Sequence, residues 1–340
     1  MSIRCGDTLL FQTPPVIAAG AAVGGKKEGE GPLAAEFDEL SADNRFGQSS
    51  WEAAEKYLQL RAARLCLQKA ALPQEKVQLA LAGDLQAQCT ASSYAMRELG
   101  VPFAGLFGAC STMAEALGLG AALCSAGLAD GLLAMASSHF CTAERQFRTP
   151  LSYGAVRTPT AQWTATAAGA CLLRPAGQGV GIRAVTFGRV QDYQIRDINN
   201  MGAAMAPAAS ATLLHYLRDT HAEPPDFDAI YTGDLGHVGS QLFRELLAAE
   251  GLLIKNHVDC GCILYDANEQ AVKSGGSGAG CCAAVLCTHI LPRLERGTQK
   301  RVLFLATGAL MSQTTFLQKE SIPAVAHLVE LAAPEKGAAS

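Results

Sequence analysis

The sequence predicts an α/β protein, an α-β-α-β-α layered sandwich built from two duplicated halves. Three observations lead there. Short apolar runs alternate with alanine-rich stretches of helical spacing, the pattern of strands joined by helices. The order strand, Gly-Asp-Leu turn, helix, small-residue turn, helix, strand occurs twice: Ala82-Gly83-Asp84-Leu85 is echoed by Thr232-Gly233-Asp234-Leu235 at an offset of 150. Composition suits buried sheets, since 49% of the 340 residues are apolar, 34 are glycine and only 17% are charged. That excludes disorder and allows helices to pack closely.

In chain order, residues 26–50 carry Lys26-Lys27-Glu28-Gly29-Glu30-Gly31-Pro32 and Asp43-Asn44-Arg45 and read as a polar surface excursion. Trp51 to Ala71 has helical spacing and stops near Pro73. Val77 to Ala82 is an apolar run ended by the Gly83-Asp84 turn, hence a strand, and Ser92 to Leu99 is a helix. Phe107-Gly108-Ala109-Cys110-Ser111-Thr112 opens a long alanine-rich helix to about Gly127, and Asp130 to Ala136 is a strand ending at Ser137-Ser138-His139. The second copy follows: strand Asp228–Tyr231, helix Ser240–Glu250, the glycine run Gly275–Gly280 opening a helix to about Glu295, and a last strand Arg301–Ala306. The halves divide as residues 1–175 and 176–340, forming one integrated unit.

Charge and cysteine usage narrow the function classes. The net charge is −4, from 27 basic and 31 acidic residues, without a basic block; a nucleic-acid partner is not expected. The twelve cysteines are scattered through apolar surroundings, as reduced cysteines are, and Cys260-Gly261-Cys262 and Cys281-Cys282 lack the Cys-x2-Cys spacing of a zinc site. No metal or cofactor is expected. The charge-free runs 198–217 and 274–292 are interrupted by Asn199, Pro207, His215, several glycines and His289, so neither reads as a membrane span. Asp7, Gln12, Pro14 and Pro15 break up any signal-peptide core. The expected location is soluble, with membrane contact only through a partner.

Two copies of one α/β unit pack about a pseudo-twofold axis, which sets the helix starts after Cys110 and Gly280 against each other. Unpaired N–H groups and the positive dipole end at each start suit a ligand carrying oxyanions. Cys110, at the first of these starts, is the candidate nucleophile, its thiolate favoured by the dipole.

Longer segments carry a resemblance. The surroundings of Cys110, the duplication and the late glycine turn look like the thiolase fold of the condensing enzymes. Leu81–Leu85, Phe107–Thr112, Ser137–His139, Thr142-Ala143-Glu144-Arg145-Gln146-Phe147-Arg148, Met205–Ala209, Tyr231–Leu235 and Ala306–Leu310 are similar to the stage V sporulation protein AD family of endospore-forming bacteria. The similarity runs from about Phe11 to His327. It implies a thiolase-like fold and a protein that binds dipicolinic acid (pyridine-2,6-dicarboxylic acid). Such a protein works with other proteins of the spore-membrane dipicolinate channel to move the acid, as its calcium salt, into the developing spore and out in germination. It would sit peripherally at the inner spore membrane or forespore.

Condensing enzymes with a Cys-His-Asn site take His and Asn from two turns of the second half. The corresponding turns here are Thr232–Leu235 and Gly275–Gly278, and neither supplies its residue; His237 lies three residues past Asp234. The sequence therefore predicts an inherited pocket without catalytic residues. The alternatives are a thiolase- or ketoacyl-synthase-like acyltransferase with Cys110 as nucleophile, and a structural subunit whose pocket is vestigial. A dicarboxylate requires cations or N–H donors and a flat apolar surface. Arg145, with Arg148 beside it, is the expected carboxylate partner, and His139, Cys110, Ser277 and Gly278 complete the expected ligand site. Phe107, Phe140 and Phe147 are the candidate ring contacts. Asp84 and Asp234 read as helix caps. A homodimer is expected, paired through the strand 131–137 with the 139–150 segment near the partner.

Overall fold

The computed structural model describes residues 2–147 and 157–334. Its first half contains strand β1 (Val16–Gly24), helix α1 (Trp51–Lys69), β2 (Leu79–Gly83), α2 (Thr90–Leu99), β3 (Phe103–Gly105), α3 (Thr112–Ser125), β4 (Leu132–Ser138), α4 (Phe140–Phe147) and β5 (Ala167–Arg174). The second contains β6 (Val180–Phe187), α5 (Met201–Thr220), β7 (Ala229–Thr232), α6 (Gly236–Ala249), β8 (His257–Asp259), α7 (Ala279–Val285), β9 (Arg301–Ala309) and β10 (Ala324–Ala332). After α7 the helix runs on through a π segment, Leu286–Ile290, to Glu295.

The strands of the first half lie in the order β3-β2-β4-β5-β1, those of the second in the order β8-β7-β9-β10-β6. Numbered within its own half, each order is 3-2-4-5-1. In both, the fifth strand runs antiparallel to its neighbours and the second is parallel to the third and fourth. The duplication read from two Gly-Asp-Leu turns is thus a duplication of whole topology. The halves join where β6 pairs antiparallel with β1, at Val180–Ile17 and Gly181–Val16.

Side-chain alternation along the strands builds the layers. On β4, Leu132, Ala134 and Ala136 face the space between the halves, while Leu133 and Met135 face α1 and α2. On β9, Val302, Phe304 and Ala306 face the same middle space, and Leu303 and Leu305 face α5 and α6. The middle layer is α3 and α7. A Cβ on Gly118 of α3 would come within 2.7 Å of Val185 on β6, and one on Gly120 within 2.9 Å of Leu132 on β4. These glycines let one helix touch the sheet strands of both halves at once. No helix of the described residues is long and apolar enough to cross a membrane.

Three expectations need correcting, and several elements have to be added. Strand 131–137 is no dimer seam, because β4 is bonded on both sides, to β2 and β5; the outer strand of that half is β3. Arg301–Ala306 is not the last strand, since β10 follows and lies between β9 and β6. The sequence does not mark strands β1, β3, β5, β6, β8 and β10 or helices α4 and α5. The polar 26–50 segment is not all surface: Glu28 is fully buried, bonded to the backbone N–H of Gly25 and Thr166 and to the Tyr265 hydroxyl.

Candidate functional site

A cavity of about 720 Å³ opens between the halves. Cys110 and Ser277 line it, with Phe107, Phe147, Met201 and Met205 as apolar lining and Glu144, Arg157 and Asn199 as polar lining. Volume and mixed lining are those of a small-molecule site.

Cys110 sits in a 3-10 turn, Ala109–Ser111, that leads into α3; Ala109 takes a left-handed φ of 52° to make the bend. The helix start does not activate this thiol. Burial pushes its pKa well above the ordinary thiol value, and the charge and hydrogen bond of Asp234 push it further. Desolvation and a neighbouring carboxylate outweigh the favourable dipole.

Asp234 is not the cap of α6. Its Oδ2 accepts from Ser277 Oγ at 3.0 Å and Gly278 N at 2.9 Å, and its Oδ1 accepts from Thr307 Oγ1 at 2.8 Å. The capping falls to Asp259, which takes the N–H groups of Leu235 and Gly236 at 2.9 Å each. Asp84 does act locally, accepting from Gln86 N and from Ser92 N and Oγ at the start of α2. The amides expected to receive a ligand carboxylate are therefore taken. Gly278 N serves Asp234, Gly280 N serves Ser138 Oγ at 3.1 Å, and Ser111 N serves Gly108 O. The protein's own carboxylate occupies the anion position at the glycine turn.

The remaining expected residues separate. Cys110 and Ser277 line the cavity, with Gly278 just behind them; Gly278 holds φ at 102°, which an L side chain rarely adopts. His139 is buried away from the cavity: Nε2 meets Asn44 O at 2.8 Å, Nδ1 accepts from Cys141 N at 3.1 Å, and burial lowers its pKa. Arg145 points outward, its side chain 55% exposed and paired with Glu52 at 2.6 Å. Arg148 lies outside the described residues. Phe107 and Phe147 line the cavity, but Phe140 stacks on Trp163 with centroids 3.9 Å apart. His237 is turned to Cys262, not to Cys110.

The cation in the wall is Arg157, which no motif marked. Its side chain is only 14% exposed, pairs with Glu144, donates to Gln162 O at 2.7 Å and lies over the rings of Phe140 and Trp163. Among the described residues no group of three or more His, Cys, Asp or Glu side chains is placed to hold a metal ion.

Paired 3-2-4-5-1 sheets, a buried helix opened by a cysteine turn and a cavity above that turn define a thiolase-like protein of the condensing-enzyme fold. Solved structures agree. OleA of Xanthomonas campestris, in a form bound to cerulenin, superposes with a TM-score of 0.59 at 16% identity, covering 97% of this chain and 99% of that one. A 3-oxoacyl-[acyl-carrier-protein] synthase III from Aquifex aeolicus does so with 0.55 at 12% identity, covering 94% and 99%. Within that fold, the chain belongs to the stage V sporulation protein AD family, whose pattern matches residues 5–332. It is 40% identical over 328 residues to stage V sporulation protein AD of Bacillus subtilis (strain 168), covering 96% of this chain and 97% of the relative.

Proposed function

We propose that the cavity is a receptor site for dipicolinic acid and that the protein acts without catalysing a reaction. It would pass the ligand, as its calcium salt, through a spore-membrane assembly into the developing spore and release it in germination. The ligand comes from the family resemblance. The observation that carries the non-enzymatic reading is the setting of Cys110, whose thiol is held protonated by burial and by a carboxylate, not deprotonated by an imidazole. A proton donor able to complete a condensation has to reach the reacting atoms, and the acid beside Cys110, Asp234, is engaged by donors on both oxygens. Apolar walls suit a pyridine ring, and the Arg157 guanidinium, already desolvated, suits one carboxylate. Partners at the inner spore membrane would hold the protein there, and a homodimer would use an outer strand such as β3 in place of β4.

Calorimetric titration of the purified protein with dipicolinic acid, with the 2,4-isomer as control, tests the reading. Saturable heat with the first alone supports it. Absence of binding alongside turnover of an acetyl- or malonyl-thioester would instead establish the acyltransferase alternative.

A further inference from the structure

We propose that Glu144 sets the ligand specificity of the cavity: its carboxylate occupies the Arg157 guanidinium in the free protein, and only a ligand with further anchors displaces it. The inference rests on the cavity's being a carboxylate receptor with Arg157 as its cation.

Arg157 is held in place. Its Nη1 donates to the backbone oxygen of Gln162 at 2.7 Å, and its guanidinium lies 5.1 Å from the ring centre of Phe140 and 5.0 Å from that of Trp163. The supports are themselves fixed. Phe140 stacks on Trp163, and Lys27 Nζ lies 4.4 Å from the Trp163 ring centre. Trp163 and Thr164 pair with Gly276 and Ser277 in a short parallel ladder between the halves. Gln162 Nε2 donates to Asp234 O at 2.7 Å and to Gly276 O at 2.8 Å. The cation is thus part of the seam that joins the halves.

Glu144 is the partner able to move. It stands in the last turn of α4, Phe140–Phe147, and lines the cavity. Rotation about its own side-chain bonds withdraws the carboxylate from Arg157 without breaking a backbone bond. Among the described residues, Glu144 and Arg157 are the charged side chains in the cavity lining, and Asp234 lies beside Ser277. A ligand carboxylate docking while Glu144 stayed would put two anions on one guanidinium, in a half-desolvated setting where like charges repel strongly. The ligand and Glu144 therefore exclude each other.

Such exclusion discriminates. A carboxylate tethered to the same chain competes at an effective concentration of roughly millimolar or more. A ligand with a single carboxylate exchanges one ion pair for another and gains little. A dicarboxylate on a flat ring keeps its second carboxylate and its contacts with Phe107, Phe147 and Met205 as a surplus. Every apparent affinity is lowered by the fraction of time that Arg157 is released. Ligands without that surplus then fail to bind.

The experiment compares the natural protein with Glu144→Gln and Glu144→Ala. Calorimetry uses dipicolinate and, as single-carboxylate probes, picolinate and benzoate. Phenylglyoxal, an arginine-selective reagent, reports release of the guanidinium without any ligand, read by mass spectrometry on the Arg157 peptide. In the natural protein dipicolinate should bind, the single carboxylates should give no heat, and Arg157 should label slowly. Both substitutions should speed the labelling, tighten dipicolinate roughly tenfold and bring picolinate and benzoate into the measurable range. Dipicolinate affinity that is unchanged or weaker in both variants overturns the proposal, since a Glu144 that merely positioned Arg157 would be missed by the ligand. Faster labelling and newly bound single carboxylates in the variants, with dipicolinate bound by none of the proteins, would uphold the role of Glu144 and remove the dipicolinate reading.

Discussion

Replacing Asp234 by Asn removes a negative charge from beside Cys110 with little change of shape. Oδ2, which takes Ser277 and the Gly278 N–H, can remain a carbonyl oxygen; the new NH2 stands where Oδ1 was and donates to Thr307, whose hydroxyl turns to accept. Two unit charges about 4 Å apart interact by about 4 kcal/mol at an effective dielectric near 20. The desolvation of Cys110 stays. We therefore expect the thiol's pKa to fall while remaining above the ordinary thiol value or close to it. The assay is the pH profile of iodoacetamide alkylation, quantified by mass spectrometry on the Cys110 peptide, with the half-buried Cys141 and Cys262 as internal references. A wild-type midpoint at or below the ordinary thiol value would refute the account of a suppressed nucleophile. A midpoint that Asp234→Asn leaves in place would show that Asp234 contributes nothing and that burial alone acts.

Three other outcomes follow from the geometry. Arg157→Ala should weaken dipicolinate binding by about 1.5–3 kcal/mol, as for a charge-assisted bond, whereas Arg145→Ala should cost under about 1 kcal/mol because its pair with Glu52 is exposed; calorimetry distinguishes them, and the reverse order would return the carboxylate to Arg145. Gly278→Ala forces an L side chain to a φ of 102° and puts its Cβ 2.6 Å from Ser138 Oγ, so urea denaturation should show a loss of about 2–4 kcal/mol. Acetyl- and malonyl-thioesters should give no ketoacyl product with the natural protein or with Cys110→Ala, as followed by thiol release; turnover at ordinary enzymatic rates would refute this.

The elements recognised from sequence were those bounded by local chemistry. β2 and β7 end in Gly-Asp turns, and α3 and α7 begin at runs of small residues. β5 (AAGACLLR) and β10 (AVAHLVELA) have no such borders and are rich in alanine, a helix former. They are strands because each is held between two neighbouring strands, at least one of them far away in the chain, which local propensity does not register. The same limit applies to the site. Cys110 and Ser277 were found because they sit on recognisable turns. Asp234 looked like a cap by analogy with Asp84, and only the fold reveals that Asp259 has taken that task. Arg157 stands in an unremarkable stretch, Arg157-Thr158-Pro159, so no pattern raised it above Arg145 in the distinctive Ala-Glu-Arg-Gln-Phe-Arg string. Glu28 was assigned to solvent because its neighbours are polar, although a buried polar cage awaits it.

The position of β10 affects how the molecule comes into being. Chains emerge from the ribosome amino end first, and domains tend to fold in that order. The first half has every strand it needs once Arg174 is out. The second does not: β6 and β9 are separated by a slot that only Ala324–Ala332 fills. Until those residues arrive, the nascent chain carries two open strand edges beside an already finished half, the state most prone to pairing with a neighbour. A ribosome stalled shortly before residue 324 would thus release a chain whose first half is native and whose second half is adhesive.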